Sequence, residues 1–285
     1  ATRRTAISET LSIARRVVSE HQGYVTSINV DRIARAVAKA EGGDRNGSTT
    51  LHLGGIEVEL LVGMGSHVAY HDPLAELRCH AGALVDSHAT AIVNAVAAAI
   101  RLDDERSLTR DPAFGIEQLA TIGWTSVSTA RSNPHPGILV CHALRDILAR
   151  WSEQGGPPED RCSSIIYDDR VPRDVIFALG SLAVVASESM QHQTLAEIMR
   201  TVSVLLPKLP PEGVDQVADM VLRSLSALGE HVLTWELERS LDMLGQALLI
   251  AECEATAGAV KRAVDILRQS VGVLKSRSTR VPTGD

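Results

Sequence analysis

Two hydrophobic patterns follow one another along the chain, and the change between them constrains the fold more than any other feature. Residues 23–80 hold short β-branched segments whose apolar side chains alternate and which glycines and turn residues separate, as in β-strands. From Asp86 onward apolar side chains recur every three or four residues, as in amphipathic helices. We therefore predict an α+β fold, mostly helical, in which a small β module is followed by a helical bundle domain.

These patterns predict individual helices and strands, and from them the chain is divided into four segments. Ala14 and Val18 belong to a series of apolar residues spaced by three and four, which predicts a helix at the N-terminus. A second helix, inserted in the β module, is predicted to begin at an Asp31 cap. The helix after Asp86 is predicted to end near the acidic residues 103–105, and a short strand is predicted at 163–169. The segments are an N-terminal helix at 1–22, the β module with its helical insertion at 23–82, a helical domain at 83–275 and a disordered tail at 276–285.

Composition excludes several classes of protein. The net charge is −7 and no basic run occurs, so a nucleic-acid partner is not expected. The longest apolar stretch, residues 175–186, is shorter than the roughly 20 residues that span a bilayer, so the chain as given is predicted to be soluble. The four cysteines lie far apart and fit neither a zinc site nor a disulfide framework, which indicates a reducing, cytoplasmic setting.

The β module contains a glycine-rich turn motif, VGMGSHVAYHDPL, in which Gly65 and Val68 precede the turn at Asp72. It resembles a half-motif of the barrel-sandwich hammerhead found in biotinyl and lipoyl carrier domains and in membrane-fusion adaptors. Those carriers present a lysine on the opposite hairpin, whereas Lys39 falls within the inserted helix of this chain. We therefore predict a hammerhead-like, barrel-sandwich-like β module with a structural or adaptor role and no lysine-linked cofactor.

A longer motif, RSLTRDPAFGIEQLATIGWTSVSTARSNP at residues 106–134, resembles the hallmark stretch of domain-of-unknown-function family 2254, a family of bacterial predicted membrane proteins. The order of a GYVTSINV strand, a hammerhead-like module and a helical C-terminus is similar as well. The resemblance implies several transmembrane helices upstream of position 1 in typical members, so the chain is either a fragment or an untethered member. It departs from the family pattern at Glu117, Thr121, Thr129 and Ser132–Asn133. The matching residues are Arg106, Asp111, Phe114, Gly115, Gln118, Leu119, Ile122, Ser128 and Pro134.

One interpretation of this motif is architectural. Asp111 would cap the helix that follows it, because an aspartate oxygen accepts hydrogen bonds from free N–H groups of a first helical turn. Gly115 would permit the close approach of another helix. Ser128, Asn133 and Pro134 would cap and turn the chain into the next helix.

The other interpretation is functional. Arg106, Asp111, Gln118 and Asn133 would then converge as polar groups in a pocket between the β module and the helical domain, which is a common place for ligands. Both interpretations stay open from sequence. The candidate pocket or motif residues are Arg106, Asp111, Gly115, Gln118, Ser128, Asn133 and Pro134.

The histidines of the β module raise the question of a metal site. His67, His71 and His80 lie near Asp72 and Cys79 in sequence, and imidazole with carboxylate binds divalent ions. Their spacing matches no familiar ligand set, and alternation along strands would scatter the side chains over two faces. No metal and no other cofactor are predicted.

Signatures of enzymes are missing. The sequence holds no phosphate-binding loop of the G-x-x-x-x-G-K-[ST] type, no G-x-S-x-G and no H-E-x-x-H, so a non-catalytic protein is favoured. Cys141 lies beside His142 and near His135, but a catalytic Cys–His pair requires a spatial contact that spacing does not establish. An enzyme that uses Asp111 or His135 as acid or base stays open as an alternative.

The function predicted from sequence is that of a binding, gating or oligomerisation scaffold. It would form the soluble region of a bacterial membrane-associated protein whose parent lies in the inner membrane, with this region cytoplasmic. A homo-oligomer is expected, and so is contact with the membrane-embedded segment of the parent chain. The alternative is a small-molecule sensor or an enzyme with the polar pocket described above.

Overall fold

The structure is a computed structural model that describes residues 2–3, 11–42, 55–80, 84–129, 133–154, 164–228 and 231–270. Two compact units divide the chain: a first unit, Ala1–Gly115 with Gly155–Arg170, and a helical unit, Ile116–Gln154 with Val171–Asp285. The strands are β1 (Thr2–Arg3), β2 (Ser12–Val18), β3 (Gly23–Ile28), β4 (Ile56–Leu60), β5 (His67–Val68), β6 (Pro73–Cys79), β7 (Ile100–Asp103) and β8 (Ile165–Tyr167). The helices are α1 (Val30–Ala40), α2 (Asp86–Ala97), α3 (Pro112–Thr129), α4 (His135–Gln154), α5 (Val171–Glu188), α6 (His192–Leu205), α7 (Pro211–Leu228), α8 (Trp235–Ile250) and α9 (Glu254–Ser270), with a 3₁₀ turn at Leu206–Lys208.

The predicted α+β, mostly helical class is confirmed by these elements. The first unit continues past residue 82, where the β module was expected to end, and takes in the later strand β8. The similarity to a barrel-sandwich hammerhead and the bundle arrangement of the helices stay predictions. The tail predicted at 276–285 lies outside the described residues.

Two sheets form the framework of the first unit. The larger sheet has the strand order β1-β8-β4-β6-β2, in which β4 is parallel to β8 and antiparallel to β6. The smaller sheet has the order β5-β3-β7, with antiparallel pairing throughout. Apolar side chains of β4 and β6, such as Val58 and Leu77, share one core with Ile33 of α1 and Ile92 of α2. The strands predicted at 23–30 and 163–169 are confirmed as β3 and β8.

The helix predicted at the N-terminus is wrong where the structure describes it, since β2 occupies residues 12–18 and pairs antiparallel with β6. Residues 4–10 lie outside the described part. The predicted helical stripe would bury Val18, but Val18 is 40% exposed while its neighbour Val17 is 3% exposed. Pairing with β6 satisfies the backbone N–H and C=O groups of this segment. These non-local hydrogen bonds outweigh a local apolar spacing that suits a helix.

A row of charged side chains crosses the larger sheet and adds to this pairing. Glu59 on β4 lies opposite Glu76 on β6, and the two residues are 3% and 6% exposed. Arg78 Nη2 lies 2.8 Å from Glu59 Oε2 and 2.9 Å from Glu76 Oε2. Arg16 of β2 donates from Nε to Glu76 Oε1 at 2.9 Å. Two buried carboxylates therefore share the cation of Arg78.

Two local predictions in the first unit need correction. Asn29, not Asp31, caps α1, because its side-chain oxygen accepts a hydrogen bond from the Arg32 N–H at 3.0 Å. Asp31 lies in the first turn, where its charge favours the helix dipole. The helix that begins at Asp86 ends at Ala97 rather than near 103–105, because residues 100–103 form β7 and pair with β3.

The helical unit is built around α6, which packs against α4, α5 and α8. Leu195, Ile198 and Met199 of α6 have no exposed surface and lie in one continuous apolar core. The helices predicted from the three-to-four spacing in this region are confirmed as α4 to α9. The break between the last two helices, predicted around Glu254–Ala257, instead falls at residues 251–253, where Glu252 has a φ of 61°.

Candidate functional site

Asp111 lies where the chain enters α3, and it is 4% exposed. Its Oδ1 accepts a hydrogen bond from the Phe114 N–H at 3.0 Å, which satisfies one of the free N–H groups of the first helical turn. Its Oδ2 accepts a hydrogen bond from Arg106 Nε at 2.7 Å. Asp111 is thus both the cap of α3 and the partner of a buried ion pair.

The Arg106 guanidinium also contacts two aromatic rings. Its Cζ lies 4.7 Å from the ring centroid of Phe114 and 5.8 Å from that of Tyr24, distances at which a cation is attracted to the face of a ring. The Arg106 side chain is 15% exposed. Since contact with Asp111 and with the rings holds this side chain in one position, Arg106 and Asp111 form a fixed, desolvated pair.

Gly65 completes this arrangement from the loop before β5. Its φ is +78°, and a Cβ at this position would lie 2.6 Å from both Cγ and Oδ1 of Asp111. Its N–H donates to the carbonyl oxygen of Val25 at 2.8 Å. A residue with a side chain would be strained in its backbone and would overlap the carboxylate. We call Tyr24, Gly65, Arg106, Asp111 and Phe114 the Asp111 cluster.

The remaining motif residues lie in or beside α3 and α4. The Gly115 N–H donates to the Asp111 carbonyl oxygen at 3.2 Å. Within the described residues, nothing lies within 4 Å of a Cβ built at Gly115, and the close helix approach expected there stays a prediction. Gln118 is half-buried in α3.

Ser128 and Asn133 form hydrogen bonds at the end of α3 and at the start of α4. The Ser128 hydroxyl donates to the Thr125 carbonyl oxygen at 3.2 Å, within the last turn of α3. The Asn133 side-chain oxygen accepts from the His135 N–H at 3.1 Å, and the Pro134 carbonyl oxygen accepts from Ile138 at 3.1 Å. The structure thus joins Arg106 to Asp111, whereas Asn133 and Pro134 shape the start of α4. The pocket expected between the β module and the helical domain stays a prediction.

Cys141 and His142 are neighbours on α4 with different surroundings. Cys141 has no exposed surface, and burial, followed by the charge of Glu197, raises the pKa of its thiol to about 12. His142 Nε2 instead lies 2.9 Å from Glu197 Oε1. Because a thiol with this pKa is protonated at neutral pH, the geometry does not support Cys141 as a nucleophile.

Glu197 of α6 is a polar residue that sequence reasoning missed. It accepts hydrogen bonds from Arg200 Nε at 2.9 Å and from Arg200 Nη2 at 2.6 Å. These bonds raise the pKa of the Arg200 guanidinium, and His142 approaches the same carboxylate from α4. The Glu-x-x-Arg spacing, which places two side chains on one helical face, is the signal that could have revealed the pair.

An open pocket of about 560 Å³ lies in the helical unit beside this pair. Its lining includes Ile138 of α4, Glu197 and Arg200 of α6, and Trp235 and Arg239 of α8. Trp235 is 69% exposed, and the Cζ of Arg239 lies 5.4 Å from the centroid of its ring. We call this the Trp235 pocket. It brings together three helices that are distant in sequence, so sequence reasoning did not find it.

Three of the residues weighed for a metal site, His67, Asp72 and Cys79, make contacts within the first unit. His67 contacts the Tyr24 ring edge-on, with centroids 5.0 Å apart. The Asp72 Oδ2 accepts from the Ala69 N–H at 2.7 Å within a turn, and Cys79 is buried in β6. Within the described ranges, no three His, Cys, Asp or Glu residues form a group that could hold a metal ion.

Comparison with known proteins decides the family. A family model described as "Predicted membrane protein (DUF2254)" matches residues 2–177, which is more than half of the 285-residue chain. The chain belongs to the DUF2254 family. The resemblance drawn from the motif at 106–134 is thereby confirmed. No curated protein and no solved structure matches the chain.

The DUF2254 match contains the whole Asp111 cluster and ends within α5. Of the residues named above in the Trp235 pocket, Ile138 falls inside the match, while Glu197, Arg200, Trp235 and Arg239 lie beyond it. In the parts of this DUF2254 member that the structure describes, no helix combines the length and apolar character needed to cross a membrane.

Proposed function

We propose that this chain is the extramembrane region of a bacterial inner-membrane protein of the DUF2254 family, and that it acts as a non-catalytic binding or gating scaffold on the cytoplasmic side. The family description as a predicted membrane protein supports the membrane association. The described cysteines Cys79, Cys141 and Cys253 are free thiols, which suits a reducing compartment.

Charged pairs on helix surfaces support a water-facing position for the helical unit. Arg150 and Asp146 on α4 lie 2.8 Å apart, and Arg223 and Asp219 on α7 also lie 2.8 Å apart. All four side chains are more than 60% exposed. Charges placed against lipid hydrocarbon carry a large free-energy cost, whereas such helical pairs are ordinary in water.

The scaffold role depends on one observation, the engagement of both oxygens of the Asp111 carboxylate by partners within the protein. Oδ1 caps α3 through Phe114, Oδ2 binds Arg106, and Gly65 closes the remaining side. A general base needs a free oxygen that can reach a substrate proton. The engaged carboxylate instead caps α3 and packs against the loop before β5 at Gly65, and we infer that a displacement of the loop towards Asp111 would disturb the start of the helix.

Membrane fractionation tests the first part of this proposal. The complete gene is expressed at native level with a C-terminal tag, and the membranes are washed with carbonate. We expect the tagged protein to stay in the membrane pellet and to run heavier than 30.5 kDa. A tagged protein of about this mass in the soluble fraction would contradict membrane association.

Protease protection tests the orientation in the same membranes. Inside-out vesicles should expose the tag to protease, and intact spheroplasts should protect it. The reverse pattern would place this region on the other side. Light scattering of the 285-residue chain measures the homo-oligomer, which stays a prediction, and a monomeric mass over the whole concentration range would contradict it.

A gating role predicts that a weakened Asp111 cluster loosens the start of α3. Hydrogen exchange of the Phe114 and Gly115 amides should accelerate in Asp111→Asn. The neutral Asn amide binds Arg106 more weakly than the carboxylate does, because the hydrogen bond is no longer between two charged groups. The matched control is Asp146→Asn, which removes an exposed ion pair on α4. Unchanged exchange in Asp111→Asn would remove the basis for coupling between the loop and α3.

A further inference from the structure

We propose that the Trp235 pocket binds a small aromatic carboxylate, a ligand with a flat apolar body and one negative charge. The pocket measures about 560 Å³, within the range of about 300–1,000 Å³ that small-molecule sites occupy. The proposal rests on the helical unit alone and is independent of the scaffold role of the Asp111 cluster.

Trp235 provides an exposed aromatic surface for the flat body of the ligand. It is the first residue of α8, and the Thr234 hydroxyl caps this helix by accepting from the Leu237 N–H at 3.2 Å. The cap holds the backbone of Trp235 in place while its side chain stays 69% exposed. An exposed indole beside a cavity offers a planar apolar surface on which an aromatic ring can stack.

Arg239 provides the positive charge. It lies one turn after Trp235 on α8, and its Cζ lies over the indole ring, 5.4 Å from the ring centroid. In the described part of the chain no carboxylate pairs with Arg239, in contrast to Arg150 and Arg223, which each bind an aspartate. A planar guanidinium whose donors are free can bind a carboxylate through two parallel hydrogen bonds.

Two acidic residues of the lining, Glu197 on α6 and Glu236 on α8, bear on the charge of the ligand. Glu197 is engaged by Arg200 and His142, so it adds little negative charge to the pocket. Glu236 also lines the pocket and has no ion-pair partner among the described residues. Because Glu236 repels a second negative charge, the geometry favours a monoanion over a dianion.

A matched pair of ligands tests the role of charge. The 285-residue chain is titrated with 2-naphthoate and with the uncharged 2-naphthamide, and binding is measured by calorimetry and by saturation-transfer NMR. We expect 2-naphthoate to bind, and we expect the affinity of the amide to be lower by about tenfold or more. Naphthalene-2,6-dicarboxylate should bind more weakly than 2-naphthoate because of Glu236. No detectable binding of 2-naphthoate at about 1 mM would overturn the proposal.

Two variants place the ligand in this pocket. Arg239→Gln and Trp235→Ala should each weaken 2-naphthoate binding by about tenfold. The control Arg223→Gln removes an exposed arginine of α7 that does not line the pocket, and it should leave binding unchanged. Circular dichroism confirms that each variant is folded. Unchanged binding in both pocket variants would overturn the proposal. Neither result bears on membrane fractionation, which tests membrane association, or on hydrogen exchange in Asp111→Asn, which tests the gating role.

Discussion

Gly65 packs directly against the carboxylate of Asp111, and this contact leaves no room for a side chain at position 65. A β-carbon there would lie 2.6 Å from Oδ1 of Asp111, and Gly65 has a φ of +78°. The carboxylate cannot move away without losing its bonds to Phe114 and Arg106. The turn motif of the β module and the family motif therefore meet in the first unit where Gly65 packs against Asp111.

This contact predicts that Gly65→Ala destabilises the protein. We expect a loss of about 2–4 kcal/mol in the free energy of unfolding, from backbone strain at positive φ together with overlap on Asp111. Urea denaturation measures the change. The matched control is Gly63→Ala, since no described atom lies within 4 Å of a Cβ at Gly63, and it should change stability by less than about 1 kcal/mol. Equal effects of the two variants would contradict the contact.

The buried charges of the larger sheet predict a large effect for Arg78→Met. Without this cation, the facing carboxylates of Glu59 and Glu76 lose a partner that they share. We expect a loss of about 3–5 kcal/mol in the free energy of unfolding, and a second change, Glu59→Gln, should restore part of it.

Arg101→Met is the control for this prediction. The Arg101 side chain is 74% exposed, and its Nη2 lies 3.8 Å from Asp103 Oδ2, so the loss of this pair should cost less than about 1 kcal/mol. If Arg78→Met proves as mild as Arg101→Met, the buried carboxylates do not depend on Arg78.

Cys141 should resist alkylation in the folded protein. Its thiol has no exposed surface and a pKa raised to about 12, whereas iodoacetamide reacts with accessible thiolates. At pH 8 we expect mass spectrometry to find the half-buried Cys253 alkylated and Cys141 alkylated only after denaturation. Similar rates for the two thiols in the folded protein would contradict the burial of Cys141.

His192 predicts a stability that falls in mild acid. Burial lowers the pKa of its imidazole below the usual 6.5, and its Nδ1 lies 2.9 Å from His231 Nδ1. Below about pH 6.5 the unfolded chain therefore binds more protons at this residue than the folded chain does. The stability that neutral His192 contributes is present above that pH and is lost as the pH falls towards the folded-state pKa.

Thermal unfolding between pH 7.5 and pH 5 measures this dependence. We expect the unfolding midpoint to fall less steeply with pH in His192→Asn than in the unchanged protein. His88→Asn is the control, because His88 is exposed on α2. If the unfolding midpoint falls equally with pH in all three proteins, His192 does not contribute to the pH dependence.

Sequence patterns predicted elements whose formation depends on nearby residues. The helices of the helical unit follow their three-to-four spacing, and the Asp-Pro pair at 111–112 indicated the start of α3. The strand β2 was missed because its partner β6 lies about 60 residues away in sequence, and nothing local distinguishes its apolar spacing from that of a helix. β7 was missed for the same reason, since its pairing with β3 is non-local.

The same distinction between local and non-local contacts applies to the candidate site. Arg106 and Asp111 are close in sequence, and their motif identified them. The contact of Asp111 with Gly65 depends on the folding of the first unit, and the Trp235 pocket depends on the packing of α4, α6 and α8. The local spacings of Glu197 with Arg200 and of Trp235 with Arg239 show which side chains share a helical face, but not that the two faces border one cavity.

The late strand β8 has a consequence for the order in which the protein can fold during synthesis. β4 pairs with β8 in parallel, yet α3 and α4 are translated between them. Until β8 leaves the ribosome, one edge of β4 is unpaired and open to strand pairing with other chains. Nascent chains arrested before residue 165 should therefore depend on chaperones, and a chain that has passed β8 should not.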